Sequence, residues 1–268
     1  MTDATEPVLL EETKGHVRIL TLNRPAKKNA LSGDLIDAII EGFASAAADD
    51  AVRVVGLTGA GDAFCSGADL APTRSKGSGD APSRRSEPAD QAVRMVTGIR
   101  VACEKPVVAG IGGIAIGAGL SLALCADMRI ASAKARFHPG YARAGASPDC
   151  GLSWTLPQAI GHERAMRFLL EPRMHGADEA LALGLVGEVV PDEAFADAFL
   201  AYCHKIAEVA PLASAQTKRL VTRAGLIADL EQHLRDELEL ARRALASDDG
   251  REAVKAIFEK RKPAFTGR

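Results

Sequence analysis

The amino-acid sequence predicts an α/β fold, and three observations carry that expectation. Buried-strand patterns ("VRVVGLTG", "KPVVAGIGG", "DMRIAS") alternate with helix-patterned segments, as layered α/β architectures require. Hydrophobic residues make up 47% of the 268-residue chain, enough for one large core or two smaller ones. Beyond Pro157 the strand signals stop and helical runs follow one another. The expected organisation is a sheet-containing core over residues 1–200 and a helical region over 201–268.

Each element has a local justification. Between Val8 and Leu22, aliphatic and β-branched residues flank Lys14-Gly15, which predicts two short strands around a turn. Ser32 is placed to cap a helix whose Leu35, Ile39, Ile40 and Phe43 recur at helical spacing. The segment from Ala71 to Pro88 is rich in Ser, Gly, Pro and charge, so it reads as a loop before the helix "ADQAVRMVTGIRVACE". "GAGLSLALCAD" reads as a short helix between two strands. The tail supplies "HERAMRFLLE", "DEALALGLV", "DEAFADAFLAYCHKIAEVA", "PLASAQTKRLVTRA" and a charged helix near residues 227–246.

Charge and cysteine usage exclude several classes. Thirty-three Lys plus Arg against 35 Asp plus Glu give a net charge of −2, so no general field favours nucleic acid or an acidic membrane. Five cysteines, an odd number without a CxxC pair, read as reduced core-filling thiols of a cytoplasmic protein. No leader pattern opens "MTDATEPVLLEE", and no uncharged apolar run of about 18 residues follows. The histidines have no metal-ligand spacing with Cys, Asp or Glu, so no metal is expected.

Two turns draw attention because both are built of small residues and both follow a buried strand: "GAGDAFCSGADL" and "GIGGIAIGAGL". Glycines where a strand enters a helix let backbone approach a ligand and expose first-turn N–H groups. Neither turn meets the dinucleotide fingerprint or the Walker pattern, and for a lone glycine cluster close helix-sheet packing is the favoured explanation. Together, however, two such turns can aim two N–H groups at one point, which stabilises an oxyanion without any side chain.

"LNRPAKKNALS", "AFCSGADL", "GGIAIGAGLSLALCADMRIAS" and "AIFEKRKPAF" resemble, in order and spacing, the crotonase family of enoyl-CoA hydratases and isomerases. The resemblance implies a spiral of ββα units, with a C-terminal region that mediates trimerisation and covers CoA. It also implies a homotrimer or dimer of trimers acting on an acyl-CoA thioester, with no cofactor beyond the CoA of the substrate. Carried over by motif, the oxyanion donors are the amides of Ser66 and Ala118. The backbone from Ala68 through Asp69 to Leu70, with Gly117, is implied in substrate binding; Lys28 could meet a CoA phosphate or simply be solvated, and Phe258 could pack on CoA or on the core. Lys260 and Lys262 are further cations that could meet CoA phosphates, or simply be solvated.

The departures from the pattern are as informative. Family hydratases use two glutamates to activate and deliver water; the corresponding positions here hold Ser121 and Tyr141. Neither is a carboxylate. Tyr141 and Trp154 are expected to shape the acyl pocket, with the phenol hydroxyl partnered. Asp149, eight residues after Tyr141 in "SPDCGLSW", is similar to the "PDCGG" stretch of ring-epoxide isomerases in the family. A double-bond shift needs only one group that takes a proton and returns it, so a single carboxylate suffices. Asp149 as proton shuttle therefore leads, against a helix cap and a covalent nucleophile. His138 is a weaker candidate base beside the same site, and Asp69 is expected to fix its own loop.

Overall fold

The computed structural model describes residues 6–69, 88–141, 147–224, 243 and 246–268. Strands β1 (Leu9–Lys14) and β2 (Val17–Leu22) form the expected hairpin, in register from Leu9 opposite Leu22 to Lys14 opposite Val17. Helix α1 (Gly33–Ala48) follows, and Ser32 caps it by accepting from the Leu35 N–H at 3.3 Å. Its buried face, Leu35, Ile39 and Phe43, matches the helical spacing read from the sequence.

Three ββ pairs come next, each sending one strand to a large sheet and one to a small sheet. They are β3 (Val54–Gly59) with β4 (Ala63–Cys65), β5 (Val107–Ile111) with β6 (Ile114–Ile116), and β7 (Met128–Ser132) with β8 (Arg136–His138). Helix α2 (Pro88–Thr97), continued by a π-helical turn to Ala102, separates the first two pairs. Helix α3 (Ala118–Cys125) separates the last two. The result is the spiral of ββα units that the resemblance implies. Buried strands flanked by helices favour parallel pairing, and β2, β3, β5 and β7 are parallel neighbours.

Helices α4 (Leu152–Ile160) and α5 (His162–Leu170) lead to β9 (His175–Gly176), α6 (Ala177–Leu183) and β10 (Glu188–Val190). The two strands correct the expectation that strands end at Pro157. β10 closes the large sheet, order β1-β2-β3-β5-β7-β10, and β9 closes the small one, order β4-β6-β8-β9. With three and two residues, they are too short to carry a period-two signal.

Helices α7 (Phe195–Ala207), α8 (Pro211–Ala224) and α9 (Asp248–Glu259) complete the described elements. Residue 200 lies inside α7, so the sheet-bearing unit extends at least through this helix. Phe199, Cys203 and Ala207 pack with Val17, Val54, Val108 and Ile130 into a second core cluster under the large sheet. The contact requires a strand residue without a side chain: a Cβ on Gly110 would stand 2.7 Å from the Phe199 ring. All of the expected Ala71–Pro88 loop except Pro88, which opens α2, and nearly all of the charged helix near 227–246 lie outside the described residues.

One buried polar side chain sets the connection from β3 to β4. Asn29, fully buried at φ +56°, accepts from the Arg24 N–H and donates to the carbonyls of Ala60 and Ala63 at 2.9 and 2.8 Å. Asparagine suits both demands, because it tolerates the left-handed region and carries donors and an acceptor. Replacing Asn29 with Ala strands these backbone groups and is expected to cost about 2–4 kcal/mol. Urea unfolding should show a lower midpoint at unchanged slope; a midpoint equal to that of the parent chain would contradict it.

Candidate active site

The two small-residue turns meet face to face. After β4, Gly67 and Asp69 bracket Leu31, which donates to the Gly67 carbonyl at 2.8 Å and accepts from the Asp69 N–H at 3.0 Å. That pairing leaves the N–H of Ala68, between them, directed away from Leu31. On the other side, a Cβ on Gly67 would lie 2.9 Å from the Ile116 carbonyl and 3.6 Å from the Ala118 nitrogen. A Cβ on Gly119 would lie 2.3 Å from the Cys65 carbonyl. The glycines thus allow one backbone turn to rest directly on the other.

Gly117, at φ +54°, turns β6 into α3 and leaves Ala118 as the first helical residue. First-turn N–H groups have no intrahelical acceptor, and the helix dipole adds partial positive charge there. Among the described residues, no protein group accepts from the N–H of Ala118 or of Ala68. Ser66 is different and corrects the expectation placed on it. Its N–H donates to the Lys28 carbonyl at 2.9 Å and its Oγ donates to the Lys27 carbonyl. The left-handed φ of +99° at Gly67 reverses the chain between Ser66 and Ala68, so the two amides face different ways. Motif spacing alone did not separate them.

Arg24 fastens the first turn. Its guanidinium reaches the Asp69 carboxylate at 2.7 Å, and both side chains are mostly buried. Arg24 also donates to the Ala30 carbonyl. Asp69 therefore fixes its loop through an ion pair across 45 residues, rather than through local bonds alone. Arg24 lies in "LNRP", where no local pattern marks it as the partner of Asp69.

A chain of hydroxyls leads from the second turn to Asp149. Ser121, fully buried one turn into α3, lies with its Oγ 2.8 Å from the Tyr141 phenol oxygen. Tyr141 follows β8 and Gly140, whose backbone leans on Gly117. Its phenol donates to the Asp149 carboxylate Oδ1 at 2.5 Å. Burial and, after it, the adjacent Asp149 carboxylate push the phenol pKa upward, so Tyr141 stays protonated and remains a donor.

The helix-cap alternative for Asp149 does not hold. Helix α4 begins after Gly151 with no side-chain cap, and the Leu152 N–H takes the backbone carbonyl of Asp149 at 3.0 Å. The carboxylate faces the phenol instead. Beside it, Cys150 sits at φ +48°, and burial, reinforced by the Asp149 charge, pushes its thiol up to about 12. A thiol so disposed is no nucleophile at neutral pH. All five cysteines carry free thiols.

The remaining candidates are less central. His138 is buried and accepts the Gly140 N–H at Nδ1, which gives it a structural task in the turn leading to Tyr141. Lys28 is about half exposed, 3.4 Å from Asp62. Trp154 is 48% exposed, on the face of α4 opposite the buried Leu152 and Leu156. Lys262 pairs loosely with Glu208 and lines a hollow with Gly15 and Arg53, at the opposite end of the strands from the two turns. Leu70 and the side chain of Phe258 lie outside the described residues. A cavity of about 520 Å³ opens at the far end of α3, between Leu124, Met128, Thr155 and Val221. Its Lys218 is already committed to Asp127 and to the carbonyls of Ile99 and Lys105. The chemistry-bearing groups are at the other end of the helix.

A spiral of ββα units with two small-residue turns interlocked at the start of α3 is the architecture of a crotonase-type protein. The chain belongs to the enoyl-CoA hydratase/isomerase family of acyl-CoA enzymes, whose model matches residues 12–268. It is 36% identical over 272 residues to the protein named "Probable enoyl-CoA hydratase echA12" from Mycobacterium bovis, covering 97% of this chain and 92% of that one. It is 32% identical over 260 residues to 1,2-epoxyphenylacetyl-CoA isomerase from Escherichia coli, covering 97% and 98%. The crystal structure of an enoyl-CoA hydratase from Polaromonas sp. JS666 superposes with a TM-score of 0.86 at 31% identity, covering 96% and 99%. Among the described residues, no helix is long and apolar enough to cross a membrane.

Proposed function

We propose that this enzyme is an acyl-CoA isomerase in which Asp149 moves the proton. The supporting observation is the fate of the two hydratase glutamate positions: both carry hydroxyls, bonded to each other, and one of them donates to Asp149. With a 3-enoyl thioester, the carboxylate takes a proton from C2. The released electron pair passes to the thioester oxygen as a dienolate. The same proton returns at C4, leaving a C2–C3 double bond and an unchanged carboxylate. The amides of Ala68 and Ala118 receive the oxyanion, each contributing about 3–4 kcal/mol in a site from which water is excluded. The substrate is an unsaturated or ring-derived acyl-CoA, and CoA enters as part of it, without another cofactor. Lys28 and the Ala68–Asp69 backbone meet the CoA portion, while Trp154 borders the acyl entrance. The working form is a cytoplasmic homotrimer or dimer of trimers.

Water addition is the competing outcome, because it demands a held and activated water and this chain offers one carboxylate where the hydratases use two. Purified enzyme offered matched 2-enoyl- and 3-enoyl-CoA thioesters should interconvert them with little 3-hydroxyacyl product. Dominant hydroxyacyl-CoA would replace the proposal with a hydratase. Absence of both reactions and of solvent deuterium uptake across a broad acyl panel would leave an acyl-CoA-binding protein.

A further inference from the structure

We propose that Tyr141, backed by Ser121, is a positioning residue that holds the Asp149 carboxylate at the angle from which it exchanges protons. The inference rests on Asp149 being the base, and adds the device that aims it. Asp149 stands at an exposed stretch just before α4, where a carboxylate without a partner would swing between rotamers. Proton transfer between two carbons requires that one oxygen stay within hydrogen-bond reach of both, so a swinging base wastes most encounters.

Tyr141 supplies the restraint. Its ring is buried, its phenol is kept protonated, and its hydroxyl reaches Oδ1 at 2.5 Å, the length of a charge-assisted bond. Ser121 fixes the phenol in turn. Its Oγ lies 2.8 Å from the phenol oxygen and 3.2 Å from the carbonyls of Gly117 and Asp149. Ser121 is three residues beyond Ala118 on a single short helix. The oxyanion donor and the restraint on the base therefore share one rigid element, which ties their separation to α3 rather than to the loop. Support of this kind, behind a functional group, is what keeps it in register with its substrate.

The experiment is a double-mutant cycle on a 3-enoyl-CoA that the parent enzyme isomerises, using Tyr141→Phe, Ser121→Ala and both together, with thermal melting of each. Tyr141→Phe keeps the ring and removes only the hydroxyl. The expected result is a fall in kcat of about ten- to a hundredfold with KM within about twofold, since the ring that shapes the acyl pocket is kept and only the hydroxyl on Asp149 is lost. Ser121→Ala should lower kcat by less. The pair should be no worse than Tyr141→Phe alone, because Ser121 acts through the phenol.

Parent-like kcat in a cooperatively melting Tyr141→Phe enzyme would overturn the inference. So would losses that simply multiply in the pair, the signature of two independent packing defects. Should Tyr141→Phe fail to fold, Ser121→Ala carries the test alone: lowered kcat at constant KM supports positioning, and unchanged kcat overturns it. Loss of isomerisation in Asp149→Asn with parent-like Tyr141→Phe would remove the positioning role and leave the base intact. Survival of Asp149→Asn would remove the base itself.

Discussion

Asp149→Asn is expected to lower the isomerisation kcat by about 10²–10⁴-fold while the enzyme still folds and still binds acyl-CoA. Asparagine keeps an acceptor oxygen for the Tyr141 phenol and nearly the same shape, so the local hydrogen bond survives. What it loses is the capacity to carry a proton. Because α4 takes no side-chain cap from Asp149, the melting temperature should stay within about 2 °C of the parent, and a loss of activity can be read as a loss of chemistry. Single-turnover reaction in H₂¹⁸O addresses the nucleophile alternative. A carboxylate that attacks carbon and is released by hydrolysis gains ¹⁸O, whereas a base does not. Label in the peptide containing Asp149 would replace proton transfer with covalent catalysis. Near-parent turnover in the Asn variant would end both readings.

Much of this site was legible because its chemistry depends on residue types that leave local marks. Two runs of small residues after buried strands announced two backbone turns, and a serine and a tyrosine at the glutamate positions announced a missing hydratase pair. The large sheet was equally legible where strands were five or six residues long and buried along most or all of their length. The rest was hidden for definite physical reasons. Strands β9 and β10 are too short to show a period, and are recruited by pairing with β8 and β7 rather than by their own propensity. Which amide of "CSGADL" faces the site depends on one left-handed glycine, Gly67, whose φ no spacing rule fixes. The pairing of Arg24 with Asp69 and the phenol bond to Asp149 are tertiary contacts. A sequence names the partners, but the fold decides which of many carboxylates and hydroxyls come within reach.

Ala118→Pro isolates the backbone contribution, which side-chain substitutions leave untouched. Proline is tolerated at the first position of a helix, because its missing N–H has no intrahelical acceptor there and its fixed φ suits the helix. Gly117, which precedes it, has no Cβ for the ring to meet. The substitution therefore removes one proposed oxyanion donor while leaving the remaining hydrogen bonds of α3 in place. Turnover is expected to fall by about 10²–10³-fold, the usual consequence of deleting one such donor. Far-ultraviolet dichroism and melting should remain close to the parent. Ground-state affinity should change far less than kcat, since the charge that the amide meets is fully developed only in the enolate. Parent-like turnover in a folded Ala118→Pro enzyme would remove Ala118 from the oxyanion site. A loss shared equally by kcat and binding would instead indicate that the ring obstructs the thioester. Ser66→Ala is the matched control. It removes only the Oγ bond to the Lys27 carbonyl and leaves the N–H on Lys28, so it reports the cost of disturbing the neighbouring turn without touching an oxyanion donor, and activity should stay within about twofold of the parent.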